Sequence, residues 1–158
     1  MSQRISNYHT LATASFKAML ALEQSFADSS IEPAVRELVK LRASQINGCA
    51  YCLHMHATDA RRMGEDEMRI HMLPAWRESS LYSARERAAL GWTEAWTHVS
   101  ETGAPDADFA AVKAQFTEVE QVQLTWMIAS INGWNRVAIG LRAEHPAKAL
   151  GAKHRDAA

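Results

Sequence analysis

The stretch that most constrains this 158-residue chain runs from Glu37 to His56, ELVKLRASQINGCAYCLHMH. Apolar residues recur at helical spacing through its first part, which predicts a helix over about Ile31–Asn47. Asn47-Gly48 predicts a stop, because both residue types accept the left-handed conformation that ends helices. A further helix is predicted from about Cys49 to Gly64. The stretch therefore predicts two helices that fold back on each other at Asn47-Gly48.

Helical signals continue through the rest of the chain. Two capping boxes, Ser83-x-x-Glu86 and Thr117-x-x-Glu120, predict helix starts. The further helices are predicted at about Tyr8–Asp28, within 65–74, from Ser83 to Val99, at 107–116 and from Thr117 to Leu141. Residues 100–106 are predicted to form a loop, and the polar tail 145–158 is predicted to be loosely ordered. No segment shows sustained alternation of period 2, so we expect an all-α fold.

Composition predicts one domain over residues 1–158, with a core at about 8–142. Hydrophobic residues make up 47% of the chain and charged residues 22%. The net charge is −1 and there is no basic block, so we expect neither nucleic acid nor a membrane as a partner. The first ten residues lack the apolar core of a signal peptide, which predicts a cytoplasmic location. In a reducing compartment, two spaced cysteines indicate a reactive or metal-binding pair rather than a permanent disulfide.

The only two cysteines, Cys49 and Cys52, share one face of their predicted helix with His56. Glu37 lies on the preceding helix. If the two helices fold back at the bend, Glu37 lies ~16 Å and His56 ~12 Å from it, at ~1.5 Å rise per residue. The carboxylate, the imidazole and a thiol are therefore predicted to lie at one level and to form a proton relay.

A thiol nucleophile must be ionised. A free thiol with a pKa of ~8.5 is only about 3% ionised at pH 7. Lowering that pKa by ~2 units, ~2.7 kcal/mol, makes the thiol roughly three-quarters ionised. A helix N-terminus typically supplies ~0.3–1 kcal/mol of this. A histidine oriented by a carboxylate is therefore expected to supply the rest, as a charged neighbour or as a general base.

The spacing of Glu37, Cys49, Cys52 and His56, with SQINGCAYC around it and NGWNR at 132–136, resembles the AhpD-like alkylhydroperoxidases of the carboxymuconolactone decarboxylase superfamily. The resemblance covers roughly residues 10 to 142. It implies a helical bundle of about six to eight helices, homo-oligomers (often trimers or hexamers) and peroxide reduction through the cysteine pair. It also implies that Cys52 is the peroxidatic thiol, Cys49 the resolving thiol, and His56 and Glu37 the proton relay.

The chain departs from some members of this family at one position. Those members have a histidine immediately before the second cysteine, where this chain has Tyr51. A tyrosine donates a hydrogen bond but does not shuttle protons near neutral pH, since its unperturbed pKa is ~10. No flavin, haem or nucleotide motif is present in the sequence, so no cofactor is expected. A hydroperoxide substrate and an external protein or small-molecule dithiol are the expected partners.

Other interpretations of these residues stay open. Cys49, Cys52, His56 and Glu37 also form a possible zinc ligand set, which would make the protein a zinc-binding or redox-sensing module. A lactone decarboxylase-like enzyme on the same fold would not need the cysteines. Trp92, Trp96, Trp126 and Trp134 are interpreted as core or subunit interface. Asn132, Asn135 and Arg136 fit helix capping or intersubunit hydrogen bonding as well as substrate contact. Residues 43–48 (ASQING) and 129–133 (ASING) form a weak internal echo, which chance explains equally well.

Overall fold

The computed structural model describes residues 2–146, and this part of the chain contains helices and no strand. The helices are α1 (Tyr8–Leu11), α2 (Thr13–Ser25), α3 (Pro33–Asn47), α4 (Ala50–Arg62), α5 (Glu67–Met72), α6 (Ala84–Thr97), α7 (Val99–Thr102), α8 (Asp106–Gln115) and α9 (Glu118–Leu141), and a 3₁₀ turn spans Leu73–Ala75. The all-α prediction is confirmed. Residues 147–158, most of the tail predicted to be loosely ordered, lie outside the described residues.

The nine α-helices of the described chain exceed the six to eight expected, because two predicted helices are interrupted. The first breaks at Ala12, whose backbone (φ −123°, ψ 50°) leaves the helical conformation, and the hydroxyls of Thr10 and Thr13 bond to backbone carbonyls beside the break. The helix predicted to reach Val99 ends at Thr97. The short α7 follows it, so part of the predicted loop 100–106 is helical.

Helix α3 lies between the other long helices and packs against α4, α6 and α9. Two of its faces are apolar. Val35 and Val39 belong to a core shared with α6 and α9, and Leu38 and Leu41 belong to a second core shared with α4 and α6. Full burial of such a side chain contributes about 1.5–3 kcal/mol. Because α3 takes part in both cores, its position relative to α4 and α9 is fixed.

The bend between α3 and α4 depends on one left-handed residue. Gly48 has φ 69° and ψ 33°, and its N–H and that of Cys49 bond back to the last turn of α3. A Cβ at Gly48 would have open space around it, but the positive φ disfavours any other residue. The predicted stop at Asn47-Gly48 is confirmed. The bend makes Cys49 the residue that caps the N-terminus of α4.

Helix α1 lies outside the two cores, and α2 meets the first core through the partly buried Leu22. No residue of Thr13–Ser25 is buried, although α2 contacts α9. The ring of Phe16 meets the ring of Trp134 edge-on, with centroids 5.6 Å apart. In residues 2–146 no helix combines the length and the apolar character needed to cross a bilayer.

The start of α9 is held by Glu120. Both predicted capping boxes are present. The Glu120 carboxylate accepts hydrogen bonds from the Thr117 N–H (2.9 Å), the Ser30 hydroxyl (3.1 Å) and the guanidinium of Arg85 (2.7 Å). The hydrogen bond from Arg85 lowers the pKa of Glu120 to about 2. This carboxylate therefore ties α9 to α6 and to the segment before α3.

We expect Glu120→Gln to destabilise the protein at pH 7 by about 1–3 kcal/mol, since hydrogen bonds to charged groups are lost. The folded-state pKa lies below the unfolded value of ~4.3, so this stabilisation is complete above that pH and is lost as the pH falls toward 2. Urea unfolding at pH 7 and pH 3 should therefore show the difference from wild type shrinking in acid. Glu118→Gln, an exposed neighbour, is the control, and a difference independent of pH would contradict the assignment.

Candidate active site

The two cysteine sulfurs lie together at the start of α4. Their Sγ atoms are 2.8 Å apart, and the Cys49 sulfur also accepts a hydrogen bond from the Cys52 N–H (3.4 Å). Both are free thiols, and only 1% of Cys49 and 2% of Cys52 is exposed. A disulfide requires an S–S distance of ~2.05 Å. A small approach of the two side chains therefore suffices to join them.

His56 and Glu37 form a buried pair across the α3–α4 contact. The His56 Nδ1 and the Glu37 Oε2 are 2.8 Å apart, and both residues are buried. A neutral imidazole that donates from Nδ1 to this carboxylate has Nε2 free to accept a proton. Within the described residues no hydrogen bond joins His56 to either sulfur. Cys52 and His56 instead line the same cavity.

This cavity, of about 350 Å³, has two kinds of wall. Most of the charged and polar lining residues belong to α3 and α4, and most of the apolar ones belong to α2 and α9. Cys52 is one of its lining residues, whereas Cys49 is not. A small molecule in the cavity therefore reaches the sulfur of Cys52 first.

Hydrogen bonding makes the two thiols unequal acids. The thiol of Cys52 donates to Cys49 and lowers the pKa of Cys49 to about 7, against the opposing effect of burial. The Cys52 N–H and the Asn135 amide also lower it. The pKa of Cys52 is raised, first because its proton is held by Cys49 and then by burial. The pair therefore loses one proton near neutral pH and keeps the second.

This result differs from the expectation that His56, oriented by Glu37, supplies most of what is needed to ionise Cys52. The resting negative charge is favoured on Cys49, since the bend places its sulfur at the helix N-cap, where the Cys52 N–H donates to it and the Cys52 sulfur lies 2.8 Å away. The helical wheel located the shared face of the cysteines but not this capping position.

Asn135 is a residue of the site that the sequence analysis did not place there. It is fully buried, donates to the Ser44 hydroxyl (3.1 Å) and accepts from the Asn47 amide (2.9 Å). Asn47 also donates to Asn132 (2.9 Å). The sequence contained one indication of this network. Residues 43–48 and 129–133 are similar, and Asn47 and Asn132 are the asparagines that match between them. Asn135 thus links α9 to the bend beside the sulfurs.

Three aromatic residues on the cavity wall were also missed as site residues. Trp134 was interpreted as core or interface, yet it lines the cavity with Tyr8 and Phe16. The Tyr8 and Phe16 ring centroids lie 6.3 Å apart, in edge contact. Tyr8 and Phe16 gave no signal in the sequence, because they reach the site only through the docking of α1 and α2 on α9.

One group of three potential metal ligands is present in the described chain. Ligand atoms of Glu37, His56 and Asp59 lie within 4.8 Å of one another. No group of three in residues 2–146 includes either cysteine sulfur. The zinc ligand set that the sequence offered is therefore not assembled in this part of the chain. That set consisted of Cys49, Cys52, His56 and Glu37.

The comparison with known proteins identifies the family. Residues 13–95 match the model of the carboxymuconolactone decarboxylase family. The chain belongs to this family. It is 43% identical over 141 residues to the uncharacterized protein YdfG of Bacillus subtilis, covering 89% of this chain and 95% of the relative. Family membership supports a peroxidase-related or decarboxylase-like function.

Solved structures place this family member among the AhpD-like folds. A protein of unknown function from Agrobacterium tumefaciens, with a suggested assignment as the antioxidant defence protein AhpD, matches with a TM-score of 0.88 and 46% identity over 92% of this chain and 99% of that one. An uncharacterized peroxidase-related protein from Silicibacter matches with a TM-score of 0.76 and 24% identity, over 86% of this chain and 72% of that one. The second likeness concerns the fold alone.

We expect thiolate absorbance at 240 nm to rise with a midpoint near pH 7 in the reduced protein. Cys52→Ala should raise the pKa of Cys49 toward the free-thiol value of ~8.5, because the donor to its sulfur is lost. Cys52→Ser, which keeps an O–H donor at this position, is the matched control and should raise it less. Equal titration curves for the two variants would contradict the role of the Cys52 thiol as donor.

Proposed function

We propose that this family member is a thiol peroxidase that reduces hydroperoxides through Cys52 and Cys49 and is recycled by an external dithiol. One observation carries the proposal: the Cys52 sulfur, in contact with a second sulfur, lines a cavity that also contains the buried His56–Glu37 pair. A nucleophile, a resolving thiol and a proton carrier are the three groups that this reaction needs.

Cys52 is assigned as the attacking sulfur because it borders the cavity. Its proton passes to the free Nε2 nitrogen of His56. The Cys52 thiolate then forms a bond to the terminal peroxide oxygen as the O–O bond breaks, and the departing alkoxide takes a proton from His56. This leaves an alcohol and a sulfenic acid on Cys52.

Cys49 completes the cycle. Its thiolate attacks the sulfur of the Cys52 sulfenic acid, and the hydroxide that leaves takes up a proton and becomes water. The two thiols have then supplied both electrons and form a disulfide. An external dithiol reduces this disulfide by thiol exchange. The proposal therefore requires a dithiol, either a protein or a small molecule, as a partner.

We also propose that the chain assembles into homo-oligomers, such as trimers or hexamers. Three apolar residues of α9, Val119, Val122 and Trp126, are each more than half exposed. Their spacing places them along one side of the helix, and exposed apolar patches of this kind are typical of protein contacts.

The peroxidase proposal predicts different roles for the two cysteines, with Cys52 as the peroxidatic thiol and Cys49 as the resolving thiol. In stopped-flow mixing of reduced protein with cumene hydroperoxide, we expect Cys52→Ser to abolish peroxide-dependent oxidation. Cys49→Ser should still react but stop at a sulfenic acid that dimedone traps. Oxidation that persists in Cys52→Ser would overturn the assignment of roles.

The same proteins separate the other functions of the family. A double Cys49→Ser, Cys52→Ser variant that retains lactone decarboxylation would favour the decarboxylase-like function, which does not need the sulfurs. Stoichiometric metal in protein purified without added zinc, together with no peroxide consumption by the wild type, would favour a zinc-binding module. Oxidation by peroxide without turnover by any dithiol would favour a redox sensor.

Glu37→Gln should slow peroxide reduction by roughly 10²–10⁴-fold, since general acid–base catalysis contributes that much. The glutamine amide can donate to the Nδ1 of His56. This favours the His56 tautomer that carries its proton on Nε2, and a protonated Nε2 cannot accept the proton of a thiol. Glu23→Gln is the control, because Glu23 lines the same cavity but bonds to Lys40 and Ser130 rather than to His56. A Glu37→Gln rate within a few-fold of the control would contradict the relay.

A further inference from the structure

The short helix α1 brings a phenol to the wall of the catalytic cavity. Tyr8 lines the cavity together with Cys52 and His56. Edge contacts with the rings of His9 (5.7 Å) and Phe16 (6.3 Å) hold the Tyr8 ring, and Phe16 in turn packs on Trp134 of α9. The ring therefore has a defined position next to the site, although α1 lies outside both apolar cores.

The Tyr8 hydroxyl is available for a ligand. Among the described residues it has no hydrogen-bond partner, and neither does the hydroxyl of Tyr51, which lines the same cavity. Tyr82, the third tyrosine, lies elsewhere and donates to the Arg69 carbonyl. Tyrosine hydroxyls usually find a partner when they are buried. A half-buried phenol with an unused donor at a cavity is thus suited to bind a polar group there.

The electrostatic environment keeps this phenol protonated. Burial raises the pKa of Tyr8, and negative charge on Tyr51 and on Cys52 raises it further. The effect of Cys52 shows that the phenol lies within electrostatic range of the reacting sulfur. At neutral pH the Tyr8 hydroxyl is a hydrogen-bond donor rather than a proton shuttle.

The proposed reaction needs a donor at one further position. When a thiolate attacks the terminal oxygen of a hydroperoxide, negative charge develops on the other oxygen, which leaves as an alkoxide. Preorganised donors that meet developing charge are among the largest contributions to catalysis. His56 delivers its proton to this oxygen, and a second donor to the same oxygen would stabilise the charge as it forms.

We propose that the Tyr8 hydroxyl donates a hydrogen bond to the leaving oxygen of a hydroperoxide bound at Cys52. The assignment rests on the proposed peroxidase function. In this step the S–O bond forms, the O–O bond breaks and the electron pair goes to the alkyl-bound oxygen, which takes its proton from His56. Tyr8 keeps its own proton throughout. Tyr8 is therefore a catalytic residue contributed by a helix that neither core requires.

The test varies the leaving group. Tyr8→Phe retains the ring and removes only the hydroxyl. We expect it to slow oxidation of the protein by tert-butyl hydroperoxide by about 10²–10³-fold in stopped-flow mixing, as for loss of one donor to developing charge. With peracetic acid the rate should change by less than ~3-fold, because acetate is a weak base and needs little stabilisation. Tyr82→Phe is the matched control and should leave both rates unchanged.

Three results would overturn the assignment. Equal slowing with both oxidants would show that the hydroxyl acts on packing or on the thiolate, and no slowing would show that it does not act. A dependence on the leaving group that occurs in Tyr51→Phe but not in Tyr8→Phe would assign the donor to Tyr51. If the wild type itself reacts with neither oxidant, the peroxidase function fails, and the wild-type trace distinguishes that failure from the others.

Discussion

The site depends on the hydrogen bond between Glu37 and His56 across the α3–α4 contact. Both groups are buried, and burial of a carboxylate is unfavourable unless it is paired and hydrogen-bonded. Removing one partner of a buried pair destabilises a protein by about 3–5 kcal/mol. The pair therefore requires that α3 and α4 keep their register, and the left-handed conformation of Gly48 is what allows the two helices to meet at this level.

The sulfurs depend in addition on α9. A polar network of Ser44, Asn47, Asn132 and Asn135 crosses the interior between α3 and α9. Buried polar networks fix one arrangement when every member has a partner, because any alternative leaves a costly unpaired group. The network ends at the cysteines, where the Asn135 amide acts on both thiols. Helix α9 thus positions the two sulfurs as well as filling the apolar core that it shares with α3 and α6.

Periodicity and stop signals predicted the all-α fold, the bend at Asn47-Gly48 and the common level of Glu37 and His56, because these depend on residues close in sequence. The helix breaks at Ala12 and His98 were missed, since they are local departures of the backbone from helical geometry, which periodicity does not describe. Tyr8 and Asn135 were missed for another reason. They reach the site through contacts between residues far apart in sequence, which no local pattern encodes.

The geometry of the two sulfurs also bears on how the proposed chemistry could proceed with one histidine. From the sequence, a base was expected to be needed because only a small fraction of a free thiol is ionised at pH 7. Here the contact between the sulfurs and the N-cap position of Cys49 bring the first pKa of the pair to about 7. A thiol whose pKa is close to the ambient pH combines ionisation with nucleophilicity. His56 then has one proton to carry, from Cys52 to the leaving oxygen, and a tyrosine in place of a second histidine removes no step that the proposed reaction requires.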